Sequence, residues 1–341
     1  MGKATIEDVA RQAGVSVATV DRVLNARAAV RPTTVQRVQS AIRQLNYQPD
    51  RLAARLARAR EYRFCFVVPE GSNSFMASLA EEVRAAATRM LQERVAIDLV
   101  LADVFDAEVL SSSLDRIGDN YDGAAIVALD HPRVREAINA LTDRGVSVVT
   151  LVSDVPSSKR AHFVGVDNSA AGRTAATLMG RYLSGRSGTV GMIAGSLALR
   201  DHVERQFGFE QVMGQEFPSL RVLPVREGRD DWRKVEAVAQ QLLEEHPDLI
   251  GLYNVGGGTR GMIAALERSR HSPRVVAIAH ELTPKTRPAL VNGTIDVVIN
   301  QDAGHEVRSA IRILMAKADK TPIVDAMERI RIDIFVRDNL P

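Results

Sequence analysis

The chain has 341 residues, 45% hydrophobic and 25% charged, which is the balance of a globular protein with room for more than one domain. Its single cysteine, Cys65, excludes an internal disulfide, and no apolar run reaches the ~18 residues that a membrane-spanning helix needs. Lys3 and Glu7 interrupt the apolar stretch that a signal peptide requires. These features predict a cytoplasmic protein without disulfides or membrane segments.

The net charge of +2 conceals an uneven distribution of charge along the chain. Residues 1–60 contain 11 Lys or Arg and 4 acidic residues, whereas residues 61–341 contain 33 and 38. A basic N-terminal segment on a mildly acidic body is typical of a protein whose N-terminus binds nucleic acid.

Residues 5–25 predict two short helices joined by a tight turn. Thr5 is a suitable N-cap with Asp8 three residues later, and Gly14 can take the left-handed conformation that ends a helix. Ser16 then caps a second helix. The pattern favours a helix-turn-helix, whose second helix lies in the DNA major groove, over an ordinary helical hairpin in a core.

A third helix is predicted to start at Pro32, because proline suits the first turn of a helix. Apolar residues at helical spacing follow it, so the third helix can pack on the first two. The sequence therefore predicts an all-α helix-turn-helix head over residues 1–46.

Residues 47–61 form a candidate linker. After a breaker that contains Pro49, the segment is rich in Ala and Arg, with strong helix propensity but too few residues for a stable isolated helix. It is either a flexible basic linker or a helix that forms only on DNA. In the second case Arg51 and Arg55 would contact phosphates, and Leu56 would enter a minor-groove step.

From Phe64 onward the pattern changes to alternating strands and helices. The predicted strands are Phe64–Pro69, Ala96–Ala102, Ala124–Leu129, Val146–Leu151, Phe163–Val166, Thr189–Ala194, Leu220–Val225, Leu249–Tyr253, Val275–Ala279 and Val297–Asn300. The predicted helices include Ser78–Leu91, Pro132–Arg144, Ala171–Leu183, Trp232–Glu245 and Arg260–Arg268. Regular alternation implies parallel sheets covered on both faces, and ten strands favour two lobes of α/β plan with a ligand cleft between them.

Polar and aromatic side chains follow several predicted strands, at the ends where parallel sheets bind ligands. The candidate ligand-binding residues are Asn73, Phe75, Met76, Ser153, Asp154, Arg200, Asp201, Arg205, Trp232, Asn254, Glu281 and Gln301. Amide, carboxylate and guanidinium groups pair with adjacent hydroxyls, and aromatic rings pack on the C–H faces of a sugar. Any one of these residues alone could be a helix cap or a loop residue, but as a set they predict a site for a polyhydroxylated ligand.

A competing interpretation rests on Gly256–Gly261, which fits G-x-G-x-x-G, follows a predicted strand and opens a helix. With Glu281 at the end of the next strand, it matches a dinucleotide-binding pattern and would suit an NAD(H)-dependent dehydrogenase or a redox-sensing regulator. Against it, the motif does not lie in the first βαβ unit of a domain. Neither G-x-S-x-G nor H-E-x-x-H occurs in the sequence, so we expect no catalytic residues, no metal and no cofactor.

Residues 4–60 resemble the head of the LacI/GalR family of bacterial transcription repressors. The matching residues are Thr5-Ile6, Asp8-Val9-Ala10, Ala13-Gly14-Val15-Ser16, Ala18-Thr19-Val20, Arg22-Val23-Leu24-Asn25, Tyr47, Pro49, Leu52-Ala53 and Leu56. With the linker arginines, the candidate DNA contacts are Thr5, Ser16, Val17, Ala18, Thr19, Arg22, Asn25, Arg51, Arg55 and Leu56. The resemblance implies that Val17, Ala18 and Arg22 face base edges, whereas Ser16, Thr19 and Asn25 hold phosphates. Asp21 departs from the Ser that is usual in the family.

Residues 62–341 resemble the ribose-type periplasmic-binding-protein fold, which forms the core of the same family. The markers are Asp122-Gly123, Gly165-Val166-Asp167-Asn168, Ala171-Gly172, Arg205-x-x-Gly208-Phe209 and Asn300-Gln301-Asp302. The resemblance implies a type I two-lobed α/β core. Lobe 1 would take residues 62–165 and 300–322, and lobe 2 would take residues 166–299 and 323–341.

Part of the candidate cleft set matches the sugar contacts of this fold. These residues are Asn73, Phe75, Trp232, Asn254, Glu281 and Gln301. Val152 and Val255 stand where Asp is usual, which points away from ribose itself to another pentose, a hexose or a polyol.

The resemblance implies a sequence-specific DNA-binding regulator, a repressor of a carbohydrate uptake or catabolic operon. A homodimer would place two heads on a pseudo-palindromic operator, and a small sugar or polyol would close the cleft and change the affinity for DNA. No C-terminal heptads are present, so we expect a dimer and not a tetramer. The non-DNA alternative is a sugar-binding module with a vestigial head.

Overall fold

A computed structural model describes residues 4–24, 30–47, 60–71, 73–269 and 274–341, and the chain divides into two compact units, Met1–Glu61 and Tyr62–Pro341. Four candidate DNA contacts, Asn25, Arg51, Arg55 and Leu56, lie outside the described residues. Within those ranges, no helix combines the length and the apolar character that crossing a bilayer requires.

The described part of the N-terminal unit contains three helices. They are α1 Ile6–Ala13, α2 Val17–Leu24 and α3 Pro32–Gln44. Each helix contributes one fully buried valine, namely Val9, Val20 and Val38, to a small apolar core. Since such a core buries little surface, the head has only modest stability of its own.

Lobe 1 of the second unit contains a five-stranded parallel sheet in the order β2-β1-β3-β4-β5. Its strands are β1 Tyr62–Pro69, β2 Val95–Ala102, β3 Gly123–Ile126, β4 Ser147–Leu151 and β5 His162–Val164. The helices that follow them are α4 Ser74–Met90, α5 Ala107–Asp115 and α6 Pro132–Asp143, with a 3-10 turn at Leu91–Glu93. Helix α4 covers one face of the sheet, and α5 and α6 cover the other.

Lobe 2 contains a seven-stranded sheet in the order β12-β11-β10-β9-β6-β7, in which β8 also pairs with β6. Its strands are β6 Gly188–Ala194, β7 Leu220–Val222, β8 Arg226–Glu227, β9 Leu249–Asn254, β10 Val276–His280, β11 Val297–Asn300 and β12 Asp333–Phe335. Its helices are α7 Asn168–Tyr182, α8 Arg200–Glu216, α9 Trp232–Glu245, α10 Thr259–Arg268 and α11 Thr286–Asn292. Strand β12 runs antiparallel to β11, and the other paired strands are parallel.

The composition of β1 explains why both faces of the lobe 1 sheet are covered. Phe64 and Phe66 enter one apolar cluster, whereas Cys65 and Val67 enter the cluster on the opposite face. A strand that is apolar on both faces is stable only between two layers of helices, as in parallel sheets. Cys65 is buried, and burial raises the pKa of its thiol to about 11.

The ten predicted strands are present, with one correction. The predicted strand Leu220–Val225 is interrupted, and its region forms β7 and the separate two-residue strand β8. Pro224 lies in the gap, where its missing N–H and fixed φ end regular pairing along β6.

The chain crosses between the lobes three times, and the last crossing lies later than expected. Helix α12, Ala303–Ala318, returns to lobe 1, as does the short helix α13, Asp325–Glu328, whose Glu328 pairs with Arg312 at 2.7 Å. Ile330 is buried in the lobe 1 core, and Ile332 touches the cores of both lobes. The last passage of the chain from lobe 1 to lobe 2 was expected at residue 323. In the structure it lies near Ile332, before β12 and the final 3-10 turn at Arg337–Asn339.

Candidate functional site

Capping residues stabilise the ends of the first helix of the head. The hydroxyl of Thr5 accepts a hydrogen bond from the Asp8 N–H at 3.3 Å, and the Asp8 carboxylate accepts one from the Thr5 N–H at 3.0 Å. The hydrogen bonds from Thr5 lower the pKa of Asp8. Gly14 ends α1 with φ 62°, the left-handed value that favours glycine.

The candidate base-reading residues lie on the exposed side of α2. Ser16 begins this helix by accepting a hydrogen bond from the Thr19 N–H at 3.3 Å, while Val20 is buried beneath it. Val17 and Ala18 are exposed, and Val17 keeps 40% of its surface accessible although it is apolar. An exposed valine at the start of a helix suits contact with a partner surface such as thymine methyl groups. Arg22 is also exposed, and DNA contact by these residues, by Thr5 and by Arg22 stays a prediction.

In the second unit, the carboxyl ends of strands from both sheets surround a cavity of about 540 Å³, a size usual for small-molecule sites. Nine of the candidate residues line it. These are Asn73, Phe75, Met76, Ser153, Asp201, Arg205, Trp232, Glu281 and Gln301. Their binding of a ligand is a proposal that is argued below.

Three candidate residues do not line the cavity, because each is engaged within the protein. Asp154 forms an ion pair with Arg160, at 2.6 Å from Nη2 to Oδ2. Arg200 binds Glu204 at 2.8 Å and Asp130 at 3.4 Å.

Asn254 is the third, and it turns inward. It is fully buried, and its amide N–H₂ donates to the carbonyls of Gly256 and Gly257 and to the hydroxyl of Thr259. Asn254 therefore shapes the loop that lines the cavity and does not face the cavity itself.

Arg205 is the most deeply placed cation of the cavity wall. Its Nε donates to Asn168 Oδ1 at 2.8 Å, and its Nη1 donates to the Val255 carbonyl at 2.9 Å. These bonds fix the guanidinium plane while Nη2 has no hydrogen-bond partner among the described residues. The neighbouring Asp201 is also buried, and its Oδ1 has no hydrogen-bond partner among the described residues.

Glu281, which follows β10, and Gln301, which follows β11, lie side by side in the cavity wall. The Gln301 side chain donates to Glu281 Oε1 at 2.8 Å, and its backbone N–H donates to Oε2 at 3.3 Å. Burial raises the pKa of Glu281 to about 7, against which Arg205 and Gln301 act in the lowering direction. A neutral Glu281 can donate a hydrogen bond as well as accept one.

Glu306 lies on α12 behind this pair and does not line the cavity. It is fully buried, and neither carboxyl oxygen has a hydrogen-bond partner among the described residues. Burial, and then the nearby Glu281, raise the pKa of Glu306 well above its ordinary value. Burial without a hydrogen-bond partner favours the neutral form of this carboxyl group.

Several residues of the cavity wall were missed at the sequence level. They are Phe105, His202, Arg229, Asp230 and Arg260. Phe105 comes shortly after the carboxyl end of β2. Ligands bind beyond the carboxyl ends of parallel strands, so this position could have been predicted by considering β2 as well. Arg260 stacks on the Trp232 ring at 4.2 Å, a contact that links two helices and leaves no local pattern in the sequence.

The glycine-rich loop has a packing explanation that does not involve a dinucleotide. A Cβ at Gly261 would lie 1.9 Å from the Trp232 carbonyl oxygen, so this glycine allows α10 to approach α9. The Gly257 N–H donates to the Asp230 carboxylate at 2.7 Å. A phosphate would meet that negative charge at the place where a dinucleotide site needs free N–H donors, so the NAD(H) reading is not favoured.

Among the described residues, no group of three or more His, Cys, Asp and Glu side chains is placed to hold a metal ion.

Two family descriptions match the chain. Residues 64–322 match the periplasmic binding protein domain, and residues 5–50 match the bacterial regulatory proteins of the lacI family. The first match covers well over half of the chain and the second covers the helix-turn-helix. The family and the fold class expected from the sequence are both confirmed.

Individual relatives agree with these matches. Catabolite control protein A of Priestia megaterium is 27% identical over 242 residues, which are 71% of this chain and 70% of that protein. The HTH-type transcriptional regulator GalS of Salmonella typhimurium is 29% identical over 264 residues, 73% of this chain and 71% of that protein. GanP, a glucose-galactose binding protein from Geobacillus stearothermophilus, shares the fold with a TM-score of 0.73 at 23% identity, over 83% of this chain and 99% of GanP. The chain therefore belongs to the LacI/GalR family of bacterial transcription regulators, which bind DNA and are not enzymes.

Proposed function

We propose that this regulator represses genes for carbohydrate uptake or catabolism and is controlled by a small sugar or polyol bound between its two lobes. Four buried polar atoms of cavity-lining residues carry the proposal. They are Ser153 Oγ, Asp201 Oδ1, Arg205 Nη2 and Gln301 Oε1, each without a hydrogen-bond partner among the described residues. Buried polar atoms require partners, and this mixture of donors and acceptors suits hydroxyl groups, which donate and accept at once.

Aromatic side chains in the same cavity support a sugar over a purely polar ligand. Phe75 and Phe105 come from lobe 1 and Trp232 from lobe 2, so aromatic side chains line both walls. Such faces pack against the C–H groups of a sugar ring. GanP, which shares the fold, is a glucose-galactose binding protein, which agrees with this ligand class.

In the proposed mechanism the protein is a cytoplasmic homodimer with two heads on a pseudo-palindromic operator. Effector binding favours one arrangement of the two lobes, and the linker of residues 47–61 transmits that change to the heads. Effector and DNA then act reciprocally through one two-state equilibrium. Leu56 would widen the operator centre as a minor-groove wedge.

The first test is thermal unfolding of the full chain with D-glucose, D-galactose, D-arabinose, polyols and NADH in separate samples. A ligand that binds only the folded state raises the melting temperature with its degree of saturation. We expect a rise with one sugar or polyol. A rise with NADH alone would contradict the proposal and restore the dinucleotide interpretation.

The second test is fluorescence anisotropy with DNA from upstream of the protein's own operon and with random DNA. Binding should weaken steeply with salt, because Lys and Arg displace counterions from phosphates. Arg22→Ala should relax the preference for the operator, whereas Arg11→Ala on the first helix should not. Equal loss of affinity on both DNAs for Arg22→Ala would contradict its base-reading role.

Sedimentation velocity of the full chain tests the proposed homodimer. We expect the mass of two chains, and the mass of one chain would contradict the proposal.

A further inference from the structure

A strained turn between β8 and α9 lies at the edge of the cavity. Arg229 and Asp230 are consecutive residues in the left-handed region, with φ 51° and 54°. Residues with a Cβ adopt this conformation at a cost and keep it only where surrounding contacts hold it. Asp230 is only 6% exposed and lines the cavity, so the turn presents a carboxylate to the cleft.

The Asp230 carboxylate joins the two lobes. Its Oδ1 accepts a hydrogen bond from the Gly257 N–H at 2.7 Å, within lobe 2. Its Oδ2 accepts one from Nδ2 of Asn73 at 2.9 Å, and Asn73 belongs to lobe 1. One side chain of lobe 2 thus closes a direct bond across the cleft.

Two glycines leave the room that this carboxylate occupies. A Cβ on Gly195 would lie 2.1 Å from Asp230 Oδ1, and a Cβ on Gly256 would lie 2.7 Å from the same atom. These glycines follow different strands, β6 and β9, so the position of the carboxylate is specified from two directions. The strained backbone and the space reserved for the side chain both favour one orientation of Asp230.

The orientation of Asn73 is also fixed. Its Oδ1 caps helix α4 by accepting hydrogen bonds from the N–H groups of Phe75 at 2.9 Å and Met76 at 3.3 Å. Since the amide oxygen serves the cap, the amide nitrogen is the atom that faces Asp230. An amide donor therefore meets a carboxylate acceptor, the stronger class of hydrogen bond.

We propose that the Asn73–Asp230 bond is a latch that holds the cleft closed without effector, and that Asp230 is a positioning residue that sets the ratio of closed to open protein. Other contacts between the lobes accompany the latch. The Arg229 guanidinium lies 5.7 Å from the centre of the Phe105 ring, and Leu199 of lobe 2 packs into the lobe 1 core.

This proposal depends on the proposed function in one respect only, namely that the cleft is the effector site. An effector that binds the closed form has an apparent affinity scaled by the closed fraction, so the latch sets how much ligand is needed for a response. It also assigns Asn73 to lobe closure and not primarily to the ligand contact expected from the sequence.

Two isosteric substitutions break the latch and one combination restores it. Asp230→Asn places an amide N–H₂ opposite the amide of Asn73, and Asn73→Asp places two carboxylates opposite each other. Both variants keep an oxygen for the Gly257 N–H and for the cap of α4. The double variant Asn73→Asp/Asp230→Asn restores one donor facing one acceptor, with the direction of the bond reversed.

Closure is measured by acrylamide quenching of Trp232, which is the only tryptophan of the chain and lines the cavity. The full chain is used with no sugar present, so a failed sugar panel and a failed latch are separate results. Each single variant should raise the quenching constant, as the closed-to-open ratio falls roughly tenfold or more with loss of a hydrogen bond to a charged group. The double variant should return to the parent value.

Asp106→Asn is the matched control, because Asp106 caps α5 through two backbone N–H groups, at 2.9 and 3.2 Å, and does not itself line the cavity. It should leave the quenching unchanged. Single variants that quench like the parent would overturn the latch. A double variant no closer to the parent than the single variants would do so too, and this comparison remains decisive even when a single variant loses stability.

Discussion

The two walls of the cleft are built from different chemistry. The lobe 2 wall contains four buried charged residues, Asp201, Arg205, Asp230 and Glu281. The buried side chains of the lobe 1 wall are mostly apolar and include those of Pro69, Phe75, Val104, Val127 and Val152, with Ser153 as a polar member. Lobe 2 therefore has the groups that can distinguish one arrangement of hydroxyls from another, and lobe 1 supplies an apolar cover.

This asymmetry has a physical basis in the way that charge is buried. A buried charge is tolerated where fixed hydrogen bonds replace its hydration, as Asn168 and the Val255 carbonyl do for Arg205. Such partners must be present before the ligand arrives, so the charged wall is organised within one lobe. We expect substitutions in lobe 2 to change ligand affinity more than substitutions in lobe 1.

The largest effect should come from Arg205→Met. It removes the unpartnered Nη2 donor and a buried charge, so the affinity for the sugar that raises the melting temperature should fall about 100-fold, since hydrogen bonds to charged groups contribute about 1.5–3 kcal/mol each. Titration calorimetry measures the loss, and circular dichroism checks the fold. Arg200→Met, outside the cavity, is the control, and an equal loss there would contradict the assignment.

Glu281→Gln should change the pH dependence of stability. Burial raises the pKa of Glu281 to about 7 from 4.5. The stabilisation of the protonated form is fully present below pH 4.5 and is lost as the pH rises through 7.

The free energy of unfolding of the parent should therefore fall across this range by on the order of 3 kcal/mol more than that of Glu281→Gln. Urea unfolding at a series of pH values measures the difference. Glu81→Gln, on the exposed side of α4, should keep the slope of the parent. A Glu281→Gln variant with that same slope would argue against a protonated Glu281.

Phe75→Ala tests the apolar cover of lobe 1. Burial of a phenylalanine contributes about 1.5–3 kcal/mol, and only part of that area faces the ligand, so affinity for the same sugar should fall about fivefold to tenfold. The control is Phe207→Ala, since Phe207 is 64% exposed and lies outside the cavity. A loss as large as that of Arg205→Met would show that the two walls contribute equally.

Ser153→Ala should have the smallest effect on binding. It removes one neutral hydrogen bond, worth about 1 kcal/mol, so the affinity should fall about fivefold. Because Ser153 Oγ is a buried atom without a partner among the described residues, the variant should melt no lower than the parent in the absence of sugar. Ser111→Ala on α5 is the control. A large drop in the melting temperature would indicate a structural role for this hydroxyl.

The strand ends of the cleft were predictable, because strands that are apolar on both faces, such as β1, leave a clear signal where they stop. Gln301 follows β11 directly and Ser153 follows β4 after one residue, and parallel topology brings such positions to the carboxyl edge of each sheet, where both line the cavity. Asn254 shows what strand ends cannot predict. Its position at the end of a strand was predictable, but the direction in which its side chain points was not. In the structure its amide turns inward and donates to the backbone carbonyls of Gly256 and Gly257.

Asp230 was not predictable from local pattern. Its left-handed backbone depends on Gly195 and Gly256, which come from other strands, and on Asn73 in the other lobe. Similarly, the burial of Glu306 without a hydrogen-bond partner among the described residues follows from the packing of α12 on lobe 1. Such features arise from tertiary contacts that no sequence window contains.

Helix α12 also has a consequence for biosynthesis. It places Val307, Ala310 and Leu314 in the core of lobe 1, although the strands of that lobe end at Val164. On the ribosome, the part of the lobe 1 sheet that α12 covers, beside α4, therefore stays uncovered while the rest of the chain up to α12 is translated, on the order of ten seconds or more at 5–20 residues per second. The lobe that is translated first is completed last, and its apolar face is the part of the nascent chain that a chaperone has longest to bind.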